Sequence, residues 1–505
     1  MKTANILRTA ALVMLSLTAI PRGRAEDKPV NLKINWDKVV TTSKTTPTLQ
    51  VVVNPPLRRG TTVHDGAYKS LKDLGLDYVR YVPWLPYPKL AVAELEPPAN
   101  GKTSWDFSLI DPMTIDFLEA QKGHSVVLNF STIPQWMWKS EKWDYPTDPN
   151  QVVWDYEKGT EPRDPTFKQP ADYYARLLSW YTNGGFTDEL GKRHDSGHHY
   201  PVQYWEVLNE IDFEHNFSPE MYTKYYDAVV TEMHKVSPET KFVGLSMAMP
   251  SLNPNHFEYF LNHANHAAGV PLDYISYHFY AVPTVDQTPE VQAFTFFAQA
   301  DGFLNSVRYI ETIRKRLSPE TKTMVNEIGA ISAEDLTQGE PGHVFKPIPN
   351  SYWSLTGAMY SYLFGEFTKM GIDVAGESQL VGYPTQFPSV SEVDWNDGSP
   401  NPRLRVLQLL HDNFGPGDKV VDVDQTIFSA NPFVYSLPVI TKDGKKRILL
   451  VNKRNRPFQV TIPGISGGQQ AFVDQISGFG PVGSAKVASD TITLNGFSVS
   501  AVTLP

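Results

Sequence analysis

The segments Tyr204-Trp-Glu-Val-Leu-Asn209-Glu210 and Thr323-Met-Val-Asn326-Glu327-Ile-Gly329 each join a short apolar run to an Asn-Glu dipeptide. Short apolar runs of this kind are typical of buried strands. An ionised carboxylate is costly to place in a low-dielectric interior, so a glutamate at the tip of a buried strand needs a partner or a purpose. The two segments therefore predict two strands that each carry a carboxylate at their end.

Six further apolar runs of strand length accompany these two segments, and helical patterns separate them. The predicted strands are 48–53, 77–82, 124–130, 202–208, 241–245, 272–277, 321–325 and 372–375, and the predicted helices are 65–74, 115–121, 170–181, 219–236, 303–316 and 352–370. Eight strands with helices interleaved between them predict a (β/α)₈ TIM barrel. Because functional groups of this fold lie at the C-terminal strand ends, Glu210 and Glu327 are expected at the same end of the barrel.

Three other segments flank the predicted barrel of residues 48–414. Residues 415–505 contain short alternating strands separated by Gly, Pro and Asn turns, which predicts a C-terminal β-sandwich domain. Residues 26–47 are expected to pair with that sandwich. Residues 1–25 carry Lys2, Arg8 and an apolar stretch from Ala10 to Ile20, which predicts a signal peptide cleaved near Ala25 and a periplasmic or extracellular protein.

Composition narrows the range of partners. The formal net charge is −10, which argues against nucleic acid, since nucleic-acid binding depends on Lys and Arg. No segment after the signal is long and apolar enough to predict a membrane span. The chain has no cysteine, which excludes thiol catalysis and cysteine metal sites.

The paired glutamates supply what glycoside hydrolysis needs, namely a proton donor and a nucleophile on opposite sides of a sugar bond. Successive side chains of a regular strand face opposite ways, so Asn209 and Glu210 can act together only where the strand ends or bulges. Asn209 would then donate to a sugar hydroxyl. Alternatively, an Asn-Glu dipeptide merely closes a strand; two such placements on two barrel strands favour function.

The sixth and second predicted strands add polar side chains near the pair. His278 and Tyr280 share a strand face, and a tyrosine hydroxyl beside Glu327 would hold the pKa of that carboxyl low while Glu210 stays protonated. Both residues could instead be satisfied polar groups of the barrel rim. Arg80 ends the second strand and could pair with Glu327 or with a structural acid.

Other candidates are weaker. Glu206 shares a face with Glu210 but lies deeper, which favours a structural ion pair. Glu377 follows the eighth strand and could contact substrate, and Trp395 could stack on a sugar or only pack. Trp136 and Trp138, in the long third loop, are similar candidates.

No metal site and no cofactor are predicted. The histidines at positions 194, 198 and 199 lie in a polar loop whose spacing fixes no ligand geometry, so a solvated loop is expected. The sequence contains no glycine-rich phosphate loop and no His-Glu-x-x-His motif.

The Asn-Glu dipeptide of the fourth strand, the His-x-Tyr of the sixth, the glutamate of the seventh and the trailing β-sandwich resemble glycoside hydrolase clan A. Within the clan the chain is most similar to family 39, which includes β-xylosidases and α-L-iduronidases, from about Val30 to the C-terminus. The resemblance implies a retaining mechanism, with Glu210 as acid/base and Glu327 as nucleophile. It also implies an oligo- or polysaccharide substrate and an exo-enzyme of the β-xylosidase type.

Two alternatives remain open at this stage. A transglycosylase would use the same residues, and a non-catalytic carbohydrate-binding protein could keep the barrel. Sugar identity, anomeric configuration and oligomeric state are not predicted. The residues also leave exo- and endo-action open, because the long Trp-rich loop before the fourth strand could wall off a pocket or line a cleft.

Overall fold

The computed structural model describes residues 29–140, 144–156, 159–283, 287–337, 344–424 and 432–505. The predicted signal peptide with its cleavage site near Ala25 lies outside these residues. None of the helices described is long and apolar enough to cross a bilayer.

The described residues form twenty strands and eight α-helices. In chain order the strands are β1 (Val30–Asn31), β2 (Lys33–Thr42), β3 (Thr46–Val52), β4 (Val79–Val82), β5 (Val126–Leu128), β6 (Gly185–Thr187), β7 (Arg193–Asp195), β8 (Tyr204–Glu206), β9 (Lys241–Met247), β10 (Tyr274–Ala281), β11 (Lys322–Ala330), β12 (Val374–Glu377), β13 (Lys419–Asp424), β14 (Val434–Ile440), β15 (Lys446–Asn452), β16 (Phe458–Thr461), β17 (Gln469–Val473), β18 (Gly483–Lys486), β19 (Thr491–Leu494) and β20 (Val499–Thr503). The helices are α1 (Thr62–Leu74), α2 (Asp111–Ala120), α3 (Lys168–Thr182), α4 (Pro219–Val236), α5 (Asn255–Phe260), α6 (Pro289–Leu317), α7 (Asn350–Met370) and α8 (Pro402–Asn413).

Eight parallel strands close into a barrel in the order β3, β4, β5, β8, β9, β10, β11, β12, with β12 pairing back onto β3. This confirms the predicted (β/α)₈ fold and all eight of its strands, with small shifts at the ends. The barrel begins at Thr46 rather than at residue 48. Helices α5 and α8 were not predicted, and α6 begins at Pro289 rather than at Phe303.

The outer helices have local signals at their ends. The side chain of Thr61 accepts a hydrogen bond from the amide of His64 and caps α1, and Ser218 caps α4 in the same way before Pro219. Gly75 ends α1 in the left-handed region with φ 58°, which a glycine adopts without strain. These caps fix where each helix leaves its strand.

The C-terminal strands form a β-sandwich. A seven-stranded sheet (β18, β17, β20, β15, β14, β13, β2) and a three-stranded sheet (β1, β16, β19) enclose their own apolar core. The early strand β2 pairs with β13 and β1 pairs with β16, so residues 30–42 lie in the sandwich. The other face of the large sheet packs on the barrel, since Tyr435 and Leu449 join the same apolar cluster as the barrel helices.

The long segment between β5 and β8 contains α3 and also the hairpin of β6 and β7, which the sequence did not reveal. His194 on β7 contacts Asp188 at 2.8 Å, and His198 contacts Asp111 at 3.3 Å. Each of these histidines has a single carboxylate partner in this way.

Candidate active site

The chain around Glu210 leaves the strand conformation abruptly. Strand β8 ends at Glu206, and both Leu208 and Glu210 adopt positive φ angles of 64° and 44°. Such angles are uncommon for residues other than glycine and are often found at functional sites. The irregular backbone lets Asn209 and Glu210, although adjacent, both line one cavity.

A β-bulge makes the backbone around Glu327 irregular in a similar way. Tyr277 of β10 pairs with Val325 of β11, but the next residue, His278, pairs with Glu327, so Asn326 is the extra residue. Asn326 Nδ2 then donates to Glu206 at 2.7 Å inside the barrel, while Glu327 lines the cavity above. Both members of the second Asn-Glu dipeptide therefore point inward, one to structure and one to the cavity.

The two glutamates meet at His278. One side-chain oxygen of Glu210, one of Glu327 and a ring nitrogen of His278 all lie within 4.8 Å of one another. His278 Nδ1 is 3.1 Å from Glu210 Oε1 and 3.7 Å from Glu327 Oε2. The structure thus brings the carboxylates of β11 and of the segment after β8 face to face.

Arg80 holds Glu327 from below. Its guanidinium donates to Glu327 and to Glu206, and also to the side-chain oxygens of Gln50, Asn209 and Ser246. Only 1% of Arg80 is exposed. All five N–H groups of this arginine are directed at protein acceptors, so Arg80 positions the site and has no donor left for substrate, contrary to its assignment as a substrate-binding residue.

Tyr280 completes the contacts of Glu327. Its hydroxyl oxygen lies 2.7 Å from Glu327 Oε2 and 2.6 Å from Ser378 Oγ. Because an ionised carboxylate only accepts, the tyrosine proton is donated to Glu327. Tyr280 also lines the cavity, as expected from the sequence, whereas His278 is 1% exposed and lies behind the carboxylates rather than in contact with the cavity.

The surroundings displace the pKa values of the two carboxyls in opposite directions. Burial raises the pKa of Glu210, and the charge of Glu327 adds to the rise against the influence of His278. Burial acts in the same sense on Glu327, but the charges of His278 and Arg80, with hydrogen bonds from Tyr280 and Arg80, outweigh it and hold the pKa of Glu327 below its usual range. This asymmetry leaves one acid able to carry a proton and the other ionised.

A cavity of about 420 Å³ opens above the pair. Its described lining residues are Gln50, Val52, Val82, Trp84, Leu85, Trp154, Asn209, Glu210, Phe213, Glu214, Tyr280, Glu327, Ile331, Gln379, Phe387 and Val390. The rings of Trp84, Trp154 and Phe387 contact one another at centroid distances of 5.5, 5.7 and 6.2 Å and form an aromatic wall. These residues come from loops, so no strand or helix period marked them in the sequence.

Asn209 is fixed at the cavity edge by its neighbours. Its Oδ1 accepts from Arg80 and Ser246, and its Nδ2 donates to Glu214 Oε1 at 3.0 Å. The indole of Trp84 donates to the same Glu214 oxygen at 2.7 Å. Glu214, which sequence reasoning missed, therefore orients both an amide and an aromatic ring of the cavity.

Two predicted substrate contacts lie elsewhere in the structure. Glu377 is fully buried at the end of β12 and pairs with Arg403 at 2.8 Å, beneath the site and outside the cavity. Trp395 packs against Trp353 and Phe345 and does not line the cavity. Glu377 ends the last barrel strand and Trp395 follows that strand, but both side chains make packing or ion-pair contacts outside the cavity.

The tryptophans of the third loop also lie away from the carboxylates. Trp136 lines a separate cavity, and Trp138 is buried with its ring near His215.

Comparisons with known proteins agree with this geometry. The model of the family described as Glycosyl hydrolases family 39 matches residues 189–326, a stretch that contains Glu210. No curated protein matches the sequence significantly.

Solved structures share the architecture over almost the whole chain. The GH51 arabinofuranosidase from Xanthomonas axonopodis pv. citri is 14% identical with a TM-score of 0.64, covering 94% of this chain and 100% of that one. The GH51 α-L-arabinofuranosidase from Thermotoga petrophila RKU-1 is 14% identical with a TM-score of 0.60, covering 94% and 100%. The GH30 endoxylanase from Clostridium papyrosolvens C71 is 14% identical with a TM-score of 0.55, covering 94% and 99%. At this identity the likeness establishes the fold.

The barrel, the opposed carboxylates and the family match together define a glycoside hydrolase of the clan A type, an enzyme whose substrate is a carbohydrate. The resemblance to family 39 is confirmed over residues 189–326.

Proposed function

We propose that this protein is a secreted, retaining exo-glycosidase that acts on neutral substrates of the β-xyloside type by double displacement. The observation that carries the proposal is the close spacing of Glu210 and Glu327, whose nearest side-chain oxygens lie within 4.8 Å. Retaining enzymes hold their carboxyl groups about 5 to 5.5 Å apart, whereas inverting enzymes leave about 6.5 to 9.5 Å for a water molecule. The spacing supports retention.

In the first step, the ionised carboxylate of Glu327 attacks the anomeric carbon while Glu210 transfers its proton to the glycosidic oxygen. The bond between the anomeric carbon and that oxygen breaks, the leaving group departs as an alcohol and a glycosyl ester forms on Glu327. In the second step, Glu210 removes a proton from water, which attacks the anomeric carbon and releases Glu327. The low pKa of Glu327 and the raised pKa of Glu210 suit these roles.

The described cavity supports exo-action on a neutral glycone. The aromatic wall of Trp84, Trp154 and Phe387 lies along the cavity, and such a wall favours a pocket that holds the terminal sugar. None of the described lining residues is Lys or Arg, which a uronic acid carboxylate would call for. Of the family 39 substrates, a β-xyloside therefore fits this lining better than an α-L-iduronide.

We infer secretion from the signal-like pattern of residues 1–25, and we expect cleavage near Ala25. Expression of the full chain in a bacterial host tests this. We expect the mature protein in the periplasm or the medium, with an N-terminus close to Glu26 by Edman sequencing or intact mass. An unprocessed cytoplasmic chain would contradict it.

The activity is tested with nitrophenyl glycosides of β-D-xylose, α-L-arabinofuranose, β-D-glucose and α-L-iduronic acid. We expect the highest kcat/KM on the β-xyloside, with release of β-xylose first when the reaction is followed by proton NMR. Release of the α-anomer would contradict the retaining mechanism, and binding without turnover would indicate a carbohydrate-binding protein. Formation of longer glycosides when an acceptor sugar is added would indicate a transglycosylase.

A further inference from the structure

Three exposed apolar side chains lie on the two loops that follow β8 and β9. Phe213 is 52% exposed, Met249 is 39% exposed and Leu252 is 74% exposed. Apolar side chains scattered singly over a surface are ordinary, whereas exposed apolar side chains on loops that are joined beside a cavity suggest a binding surface, and Asp212 joins these two loops. Phe213 also lines the active-site cavity, which places one end of this apolar rim at the site itself.

The apolar rim is fixed relative to the proton donor. The amides of Phe213 and Glu214 both donate to the carbonyl oxygen of Glu210, at 2.8 and 2.7 Å, so the ring stands one tight turn after the acid. Asp212 joins the second loop to this turn, because its carboxylate accepts from the amides of Ala248 and Met249 at 2.9 and 3.0 Å. The side chain of Asn253 donates to the same carboxylate at 3.1 Å.

We propose that Phe213, Met249 and Leu252 form a binding surface for the leaving group, and that the preferred leaving group is an apolar alcohol, alkyl or aryl, rather than a sugar. The inference rests on the proposed function, in which Glu210 protonates the glycosidic oxygen. The leaving group must therefore lie beside Glu210 and outside the pocket that holds the glycone. The apolar rim begins at that position.

The chemistry of the rim favours an apolar occupant. None of its three side chains offers a hydrogen-bond donor or a strong acceptor, so the hydroxyl groups of a leaving sugar would lose water there without compensation. An alkyl or aryl group gains from burial against the same side chains, by about fourfold in affinity for each fully buried methylene. A leaving group that lies on a surface is only partly buried, so about twofold for each methylene is expected.

A homologous series of alkyl glycosides tests the inference. Methyl, butyl and hexyl β-D-xylosides have leaving groups of nearly equal acidity, so their kcat/KM values differ through contacts of the chain alone; the series is made on whichever glycone the aryl panel favours. We expect kcat/KM to rise at least about tenfold from methyl to hexyl, and hexyl xyloside to exceed xylobiose. A flat series together with preference for xylobiose would overturn the inference while leaving the glycosidase intact. No turnover of any aryl glycoside would instead refute the proposed function.

The Phe213→Ser variant sharpens the test, and Phe479→Ser serves as its matched control. Phe479 is 49% exposed and lies between β17 and β18 in the sandwich. We expect Phe213→Ser to lower the hexyl-to-methyl ratio of kcat/KM several-fold, and Phe479→Ser to leave that ratio unchanged. An unchanged ratio in Phe213→Ser would contradict a rim contact with the leaving group.

Discussion

Two buried arginines of the barrel each face two glutamates, yet they serve different ends. The pairs are Arg80 with Glu206 and Glu327, and Arg403 with Glu377 and Glu392. Every N–H of Arg80 has an acceptor, and one of its acids faces the cavity. Among the described residues, Nη1 of Arg403 and both carboxyl oxygens of Glu392 have no hydrogen-bond partner, and neither acid reaches the cavity.

A buried charge does not by itself mark an active site. In the Arg403 cluster, burial raises the pKa of Glu377 to about 7 and also raises the pKa of Glu392 well above its usual range. In the Arg80 cluster, the charges of His278 and Arg80, together with hydrogen bonds from Tyr280 and Arg80, outweigh burial and hold the pKa of Glu327 below its usual range. Access to a cavity and a low pKa together separate the functional carboxylate from the structural ones.

The largest expected effect separates the acids of the two clusters. Replacing Glu327→Gln removes the proposed nucleophile, so we expect kcat/KM to fall by about 10⁴-fold or more with unchanged circular dichroism. The matched control is Glu377→Gln, an acid on the adjacent strand, which should keep activity within about tenfold. Equal losses in the two variants, measured on an aryl glycoside, would erase the distinction between the clusters.

The second prediction compares the arginines. Arg80 holds the pKa of Glu327 low, and Glu327 must be ionised to attack, so the acid limb of the pH profile reports this contact. Arg80→Lys keeps the positive charge but loses the planar guanidinium and its five N–H donors. We expect the acid limb of the pH profile to move to higher pH and kcat/KM to fall by about 10²-fold. Arg403→Lys should destabilise the fold without moving the limb. A shift of the limb in both variants would contradict the separation.

The third prediction concerns stability and pH. Glu377 has a folded-state pKa of about 7 against an ordinary value of 4.5. Its stabilising contribution is therefore fully present below about pH 4.5 and is lost as the pH rises through about 7. The Tm of the wild type should fall between about pH 5 and about pH 8 more than the Tm of Glu377→Gln. Glu327, whose pKa is lowered, contributes with the opposite sign, and its stabilisation is lost only in acid.

The smallest expected effect separates the asparagines of the two Asn-Glu dipeptides. Asn326 donates to Glu206 inside the barrel, so Asn326→Ala should lower the free energy of unfolding by about 1–3 kcal/mol with little change in kcat/KM. Asn209 borders the cavity, so Asn209→Ala should lower kcat/KM about 10- to 100-fold. Denaturant unfolding and steady-state kinetics on both variants measure the two effects, and a reversed pattern would contradict the assignment.

The sequence predicts the barrel well because its strands are apolar runs that burial requires. The sequence also predicts that Glu210 and Glu327 lie at the same end of the barrel, because each follows an apolar strand run and the C-terminal ends of the barrel strands lie together. It fails at loops and at local irregularities. Nothing periodic marks Trp84 or Trp154, and the bulge that turns Asn326 toward Glu206 is visible in the pairing register rather than in residue types.

For Glu377 the sequence predicted a contact that the structure does not contain. Its position at a strand end suggested a contact with substrate. The unpredicted helix α8 supplies Arg403, and this partner draws the carboxylate into the protein. The orientation of the Trp395 side chain is likewise determined by packing against Trp353, which is distant in sequence.

The central claim is that Glu327 is the nucleophile and Glu210 the acid/base. A 2-deoxy-2-fluoro glycoside with a good leaving group slows breakdown of the glycosyl ester, so the intermediate can be isolated and located by peptide mass spectrometry. We expect one glycosyl group on the peptide that contains Glu327. Labelling of Glu210 would contradict the assignment, and turnover of the reagent to an inverted product without labelling would contradict the retaining mechanism.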